Sequence, residues 1–553
     1  MKNAGVMPTW RANRVRPVAL AACLAAGQAM ALQLDTGNPE FKLTWDNTVK
    51  YSAAYRLKNA DPALANDVNQ GDGDTNFRLR GLISNRVDLL SEFEGSYQQR
   101  FGFRLSGAAW YDAVYNRNNR NNTAGAFGPG TSAVNSTEIS SPTEFTPYTR
   151  KVYGQKADVL DAFVSGRFDL GEHAATVRLG QHTVVWGESL FFGGNAIAGA
   201  MTPIDVAKAV SIPNLRFQEV ARPVPQVSGQ VQINDTVTAY GFYQARWRED
   251  RAIGSGSYFS PSDFAAGGNV VLTPGGPFLQ TATQKGKNSG QGGVSLRIRG
   301  DDIDYGLYAV RFNSKASGAV ISPLTGSFYE NYHNGINVYG ASANKSLGKF
   351  NFAIEASVRK NQNLLSPNAY DLGAGPQYAV GNTAHVNVSA FGVGLGKALF
   401  WDDALLLAEA AYSRVMSIKR NEDTMSGCQP AFFPGSVCQP NGTRNALQMQ
   451  VLFEPVFYQA LPGVDLRVPI GLSYTPKGSR SMIAVAPENG GTLSIGLAAS
   501  YLDVWRAGLN YSHFYGSRNV VFSPISAGGT VAFNYRQFFR DRDFLSFNLN
   551  RTF

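Results

Sequence analysis

The sequence predicts a transmembrane antiparallel β-barrel of about 18 strands, within a range of about 16 to 20, with one long loop folded inward as a plug or constriction. Three observations carry that prediction. Apolar and polar residues alternate with period two from Phe41 to the end of the chain. The connections between the alternating runs are short at one end and long at the other. The chain finishes on Asp543-Phe-Leu-Ser-Phe-Asn-Leu-Asn-Arg-Thr-Phe553, in which Leu545, Phe547, Leu549 and Phe553 alternate with polar residues.

The alternation is clearest in residues 349–360, where Phe350, Phe352, Ile354, Ala356 and Val358 interleave with Asn351, Ala353, Glu355, Ser357 and Arg359. One face suits lipid and the other suits water. The same pattern recurs in 226–233, 293–300 and 445–457. Hydrophobic residues make up only 44% of the chain and the mean hydropathy is −0.18, as expected when every second residue of a strand meets lipid. No apolar run approaches the ~20 residues that a spanning helix needs. Aromatic residues reach 12%, which fits interfacial girdles around many strands.

Tight polar turns fall at Tyr97–Phe101, Asp169–His173, Ile233–Thr236, Gly300–Asp302, Leu347–Lys349, Trp401–Asp403, Pro462–Asp465 and Leu502–Asp503. Between them lie longer polar or Gly-rich insertions, at 58–76, 116–151, 188–223, 249–288, 316–332, 362–382, 419–442, 477–490 and 517–540. The count stays open because 531–537 can form a further strand and Pro469 interrupts the run 465–475. A soluble sandwich or propeller is the competing architecture, and it would have shorter strands and less lopsided loops.

At the amino terminus, Lys2, Arg11, Arg14 and Arg16 precede an apolar run from Val18 to Ala26 and the small residues before Leu32. Residues 1–31 read as a signal peptide and 32–553 as the barrel. A lipoprotein box at Leu20-Ala-Ala-Cys23 is the alternative, at the expense of the apolar run. The leader holds four basic side chains and no acids, so the formal charge of the remainder falls from +9 to +5. That is too mild, and too dispersed, for nucleic-acid binding. Cys428 and Cys438 are expected to form a short looped disulfide, since no His lies near enough to suggest a metal.

The longest stretch without alternation runs through 188–223, the third long insertion. Its apolar content is high for a loop standing in water, so it is expected to fold into the lumen, with Thr202 and Pro203 starting a short helix and Asp205 in its first turn. Here the chain resembles a known family. The run Arg178-Leu-Gly-Gln-His-Thr-Val-Val-Trp-Gly-Glu-Ser-Leu-Phe-Phe192, followed by Pro203-Ile-Asp205, looks like the central signature of the DUF1302 family of proteobacterial outer-membrane proteins. The opening strand, with Trp45-Asp-Asn-Thr48, Tyr51 and Arg56, is similar to that family too. His182 stands where Arg or Gln is expected, and Arg551 interrupts the apolar face of the last strand. The resemblance implies an outer-membrane location in a Gram-negative bacterium. It also implies traffic of apolar molecules such as lipids, sterols or esters, alongside a lipid-binding envelope protein and a resistance–nodulation–division-type exporter. Phe547, Leu549 and Phe553 then resemble the assembly signal read by the barrel-assembly machinery.

Many charges fall on the expected lumen faces, among them Arg86, Asp88, Glu92, Glu94, Arg104, Arg178, Arg297, Arg299, Glu355 and Arg359. With His182, Trp186, Glu188, Ser189, Asp205 and Glu219 on or beside the inward loop, they either make a selective field or pair with one another and lock the loop. No His stands in an arrangement that supplies a nucleophile with a base, and His182 and Ser189 are about 20 Å apart along an extended strand. No enzyme, cofactor or metal is expected. Asp72 and Asp74 lack the bidentate Glu of a calcium loop and are expected in a solvated loop. The expectation is a conduit for hydrophobic or amphipathic molecules in contact with outer-membrane lipid. The alternatives are a porin for small polar or anionic solutes, and a non-transporting adhesion or structural barrel.

Overall fold

The computed structural model describes residues 32–121, 143–398, 400–427, 439–476, 481–524 and 530–553. The expected leader at 1–31 and the expected Cys428–Cys438 pair lie outside them. Among the described residues, eighteen strands close into a single antiparallel barrel. In chain order they are β1 (Phe41–Arg56), β2 (Gly81–Tyr97), β3 (Phe101–Asp112), β4 (Gln155–Leu170), β5 (His173–His182), β6 (Val224–Gln232), β7 (Val237–Gln244), β8 (Gly292–Arg299) and β9 (Asp304–Phe312). There follow β10 (Ile336–Leu347), β11 (Phe350–Asn363), β12 (Val380–Gly392), β13 (Asp403–Arg420), β14 (Asn445–Leu461), β15 (Val464–Arg467 with Ile470–Thr475), β16 (Gly490–Tyr501), β17 (Trp505–Tyr515) and β18 (Phe544–Thr552).

Each strand pairs with the next, and β1 closes the ring on β18 from Thr48 opposite Thr552 to Arg56 opposite Phe544. The ladder runs one residue further, because Phe553 N–H donates to Asn47 O at 2.8 Å and Asn47 N–H donates back at 3.2 Å. A short segment not foreseen in the sequence, Leu32–Leu34, pairs with Leu43–Trp45 of β1 beyond that point. Pro469 splits β15 in two, yet both halves stay paired with β14 and β16. Residues 531–537 do not join the barrel; they belong to the last long loop.

The alternation decides which way each side chain points. On β11, Phe352 and Ile354 stand outward while Ala353, Glu355 and Arg359 are buried inside. Around the barrel, Leu89, Val164, Leu179, Val294, Leu307 and Leu497 form an outward apolar belt. At the end with short turns, Phe41 packs on Tyr97 and Phe101 on Phe168, as an interfacial girdle requires. Arg551 interrupts the apolar face of β18 at this level. Its guanidinium lies 4.6 Å from the Phe553 ring and 5.1 Å from the Trp505 ring, which gives the charge two aromatic faces.

At the other end the long loops fold together into a cap. Residues 270–273, 276–280, 318–322 and 327–331 form a separate four-stranded sheet. Phe77, Tyr115, Phe145, Tyr258, Phe259 and Phe539 make an aromatic core beneath the first, second, fourth and last long loops. The sequence expectation of a solvated Asp74 is overturned here, because Asp74 is fully buried. It pairs with Arg56 at 3.1 Å, on the inner face at the end of β1, and with Arg542 at 3.0 Å, just before β18. Arg542 also donates to the carbonyls of Tyr258 at 2.6 Å and Ser260 at 2.9 Å, so one side chain joins three loops. Asp72, beside it, is buried as well, and its N–H donates to Asp263 at 3.0 Å.

Burial pushes Asp74 up, but Arg542 and Arg56 outweigh it and hold the carboxyl below the usual range. Burial and the nearby Asp74 carboxylate push Asp541 up to about 6. Burial and Asp72 push Asp263 well above the ordinary value. A raised carboxyl binds its proton more tightly in the folded cap, so its stabilising contribution is present at low pH and is lost as pH rises through the raised pKa. Asp74 contributes in the opposite sense, and loses its contribution only below the ordinary carboxyl value. Amide exchange at 257–263 is therefore expected to slow as pH falls from 7.5 to 5, after correction for the intrinsic rate, and Asp263→Asn with Asp541→Asn should flatten that dependence. Arg542→Ala leaves Asp74 buried with one cation and should loosen the cap by about 3–5 kcal/mol. Faster proteolysis of the loops, with unchanged heat-modifiable migration of the barrel, is the expected readout.

Candidate functional site

The third long loop, 183–223, leaves β5 and crosses the lumen to the wall six to eight strands away. Its first limb starts beside His182, which is fully buried, with Nε2 2.7 Å from Ser228 Oγ and Nδ1 3.0 Å from Gly180 O. Trp186 then packs edge-on against Phe242 at 5.1 Å, and its N–H donates to Met201 Sδ at 3.2 Å. Ile197 and Met201 complete this apolar contact against Val310, Ile336 and Val338.

Gly187 turns the chain at φ +94°, and a Cβ there would collide with the Glu355 carboxylate. Beyond it the backbone is irregular and enclosed, so its polar groups need partners from the wall. Glu355 on β11 accepts from the N–H of Glu188 at 2.8 Å and of Ile197 at 2.5 Å. Glu409 on β13 accepts from Leu190 N–H at 3.1 Å, from Phe191 N–H and from Phe192 N–H at 2.9 Å, and from Ser189 Oγ at 2.7 Å. Arg359 donates through Nη2 to the carbonyls of Gly194, Asn195 and Ala196 at 2.8–2.9 Å. Asn195 meets Asn387 and His385 of β12, each at 2.8 Å.

The second limb returns through two short helices, α1 (Val206–Ser211) and α2 (Phe217–Val220). Asp205 caps α1, accepting from Lys208 N–H at 2.9 Å. Thr202 and Pro203 stand outside the helix, and the Thr202 hydroxyl instead ties the limb together by donating to Arg222 O at 2.7 Å. Asp205 also pairs with Arg251 at 2.6 Å. Asn214, at the tip, reaches Ser494 of β16 at 2.8 Å.

The structure thus gathers His182, Trp186, Glu188, Ser189 and Asp205 along this loop, and Glu188 reaches Asn344 at 3.1 Å. Glu219 pairs with Arg216, the residue that caps α2. Arg178 lies over the Phe163 ring at 4.6 Å. Arg104, Arg297 and Arg299 sit nearer the short turns. Arg104 pairs with Glu92 and Glu94 and lies 3.4 Å from Asp161, while Arg297 pairs with Asp304 at 2.9 Å and stays 57% exposed. The lumen on the turn side of the loop carries these partly exposed charges. His182 and Ser189, considered as a base and a nucleophile, are committed to different partners. Glu409, the main anchor, is absent from the sequence reading, although it is the one charge in Leu405-Leu-Leu-Ala-Glu-Ala-Ala411 and falls on the inward parity of its strand.

On the loop side of the barrel the cap forms a partly open cavity of about 710 Å³. Its lining is mainly apolar and comes from the fourth, fifth, sixth, eighth and ninth long loops, with Phe264, Val271, Val320, Leu364, Ile483 and Phe533 as examples.

Residues 14–553 match the family model described as protein of unknown function (DUF1302). The chain belongs to the DUF1302 family. No curated protein matches this DUF1302 chain. Among solved structures it is similar to Acinetobacter baumannii OccAB3, at 9% identity over 92% of this chain and 99% of that one, with a TM-score of 0.41. It is similar also to Acinetobacter baumannii OccAB2, at 8% identity over 92% and 98% with a TM-score of 0.41. Pseudomonas aeruginosa OccK2 (OpdF), solved in complex with glucuronate, follows at 9% identity over 92% and 97% with a TM-score of 0.39. At such scores the fold of the DUF1302 chain rests on its own strand ladder.

Glu409→Ala removes the shared acceptor of three enclosed N–H groups. It should cost at least about 2 kcal/mol of local stability, read as faster amide exchange at Leu190–Phe192. Gly187→Ala should act in the same direction through the collision with Glu355.

Proposed function

We propose that this protein is an outer-membrane conduit for hydrophobic or amphipathic molecules, lipid-, sterol- or ester-like in class, with loop 183–223 as its constriction. The observation that carries the reading is the largely apolar cavity of about 710 Å³ beneath the cap. That size falls within the roughly 300–1,000 Å³ usual for small-molecule sites. Apolar surface lining an open pocket among loops that face water is costly unless an apolar occupant covers it. The outward belt and aromatic girdle support a membrane-spanning barrel, with the short turns in the periplasm and the cap outside. On this reading the working partners are outer-membrane lipid and, on the turn side, envelope proteins that exchange apolar cargo, and no catalytic step is needed.

A porin for small polar solutes is the second reading, favoured by the exposed ion pairs of Arg104 and Arg297 on the turn side. The two separate on binding. The purified barrel is expected to bind N-phenyl-1-naphthylamine with enhanced fluorescence, and Ala319→Trp, which fills the cavity, should weaken that binding about tenfold, or about 1.4 kcal/mol. Absence of saturable binding, together with steady ion conductance in bilayers, would establish the porin instead.

A further inference from the structure

The cavity under the cap is one-sided in charge. Among the described residues that line it there is no Lys or Arg, and Glu330 is the one acid. Glu330 belongs to the cap sheet, in 327–331, opposite Ala319 of 318–322, which lines the cavity as well. Two hydrogen bonds reach its carboxyl, both long and both to Oε1, from Ser317 Oγ at 3.4 Å and from Ala266 N–H at 3.5 Å. Among the described residues Oε2 has no hydrogen-bond partner, and no cation stands within ion-pair distance of the group.

His333, also in the lining, does not supply the missing positive charge. Its Nε2 lies 2.9 Å from Asn361 O and so carries the proton, which leaves Nδ1 to accept from the Tyr378 hydroxyl at 2.7 Å. Burial, with Arg420 beyond the lining, holds the ring below its ordinary value, so it is neutral at neutral pH. Arg420 itself is exposed at the end of β13 and does not line the cavity. Burial, and after it the Glu249 carboxylate, push Glu330 above the usual carboxyl value.

A carboxylate head brought into this space meets Glu330 as a like charge, with no lining cation to offset either. A hydroxyl suits Glu330 in both of its states, since a carboxylate accepts from it and a protonated carboxyl can also donate to it. An ammonium suits the carboxylate alone, and leaves water at a greater cost. We propose that the cap cavity takes uncharged amphiphiles with a hydroxyl head, held by Glu330, and rejects those with a carboxylate head. This inference rests on the conduit reading and narrows its cargo by head group.

The test is displacement of N-phenyl-1-naphthylamine from the full-length barrel in nanodiscs of zwitterionic lipid at neutral pH, with competitor concentrations corrected for uptake by protein-free nanodiscs. 1-Decanol, decylammonium and decanoate share one chain and differ in the head. 1-Decanol should displace the dye at a concentration at least about tenfold below that of decanoate, the scale of one hydrogen bond to a charged group, and below that of decylammonium as well. Glu330→Gln offers an amide donor in place of the charge, so the gap between 1-decanol and decanoate should close to within about threefold. Glu330→Lys should reverse the order; if that variant fails to fold, the Glu330→Gln gap decides alone.

A gap unchanged by the substitutions, decanoate binding as well as 1-decanol, or decylammonium binding more tightly than either would overturn the proposal. In those cases the dye still binds, and the conduit reading stands. Absence of dye binding rejects the conduit reading and the head-group preference together.

Discussion

A peptide segment that leaves the wall of a barrel and crosses its interior must find hydrogen-bond partners for its enclosed N–H and C=O groups, and here three side chains of the wall meet five N–H and three C=O groups of the first limb. Glu409 collects three amides and a hydroxyl, Glu355 collects two amides, and Arg359 gives to three successive carbonyls. The acids serve the N–H groups and the base serves the carbonyls, so the loop backbone is matched in both senses. Gly187 is part of the same arrangement, because only a residue without Cβ lets the chain come this close to Glu355. The rest of the interior follows from that fixation. With one limb held on β11–β13, the second limb runs back across the lumen, where Asp205 pairs with Arg251 and Asn214 at the tip reaches β16.

The cap obeys a different rule. Its aromatic core would hold any group of loops loosely together, but the buried Asp74 sets a specific arrangement. A carboxylate out of water needs its cations in place, and Arg56 and Arg542 provide them from the two strand ends that meet at the barrel's closure. The neighbouring Asp541 shares Arg56 with Asp74, at 2.7 Å, and burial and the Asp74 carboxylate beside it still push it up to about 6. Asp263, buried next to Asp72, is pushed up further, so both acids take up a proton more readily than a free carboxyl, and the tightness of the cap depends on pH for that reason.

Much of the barrel was legible in the sequence because its determinants are local. Period-two alternation and turn chemistry need only a few neighbouring residues, and Phe350, Ile354 and Glu355 declare their sides of the wall without knowledge of any partner. Even Pro469 was readable as an irregularity, although two separate ladders on either side keep its strand in the barrel. The site was legible only where composition betrayed it, in the apolar loop around Trp186. Its anchors were not, since Glu409 lies more than two hundred positions from the amides it binds, and no local pattern marks an acid as an acceptor for a distant loop. Asp74 misled for the same reason. Gly71-Asp-Gly-Asp74 looks like a wet turn until residues 468 positions away are brought over it. The short helix in this loop was expected to start at Thr202 and Pro203, but α1 starts at Val206, because the Asp205 side chain caps it instead.

The pairing of Asp74 with both Arg56 and Arg542 has a consequence for how the molecule matures. Arg56 and its partner enter with the first and second strands, whereas Arg542 arrives only with the segment leading into the last one. Until β18 zips onto β1, a half-made barrel holds Asp74 short of one cation, and its outer loops lack the clasp that orders them. Completion of the ring and ordering of the loops are thus one cooperative event with very high contact order. A chain stalled before its final strand would display a disordered outer face, which marks it as unfinished.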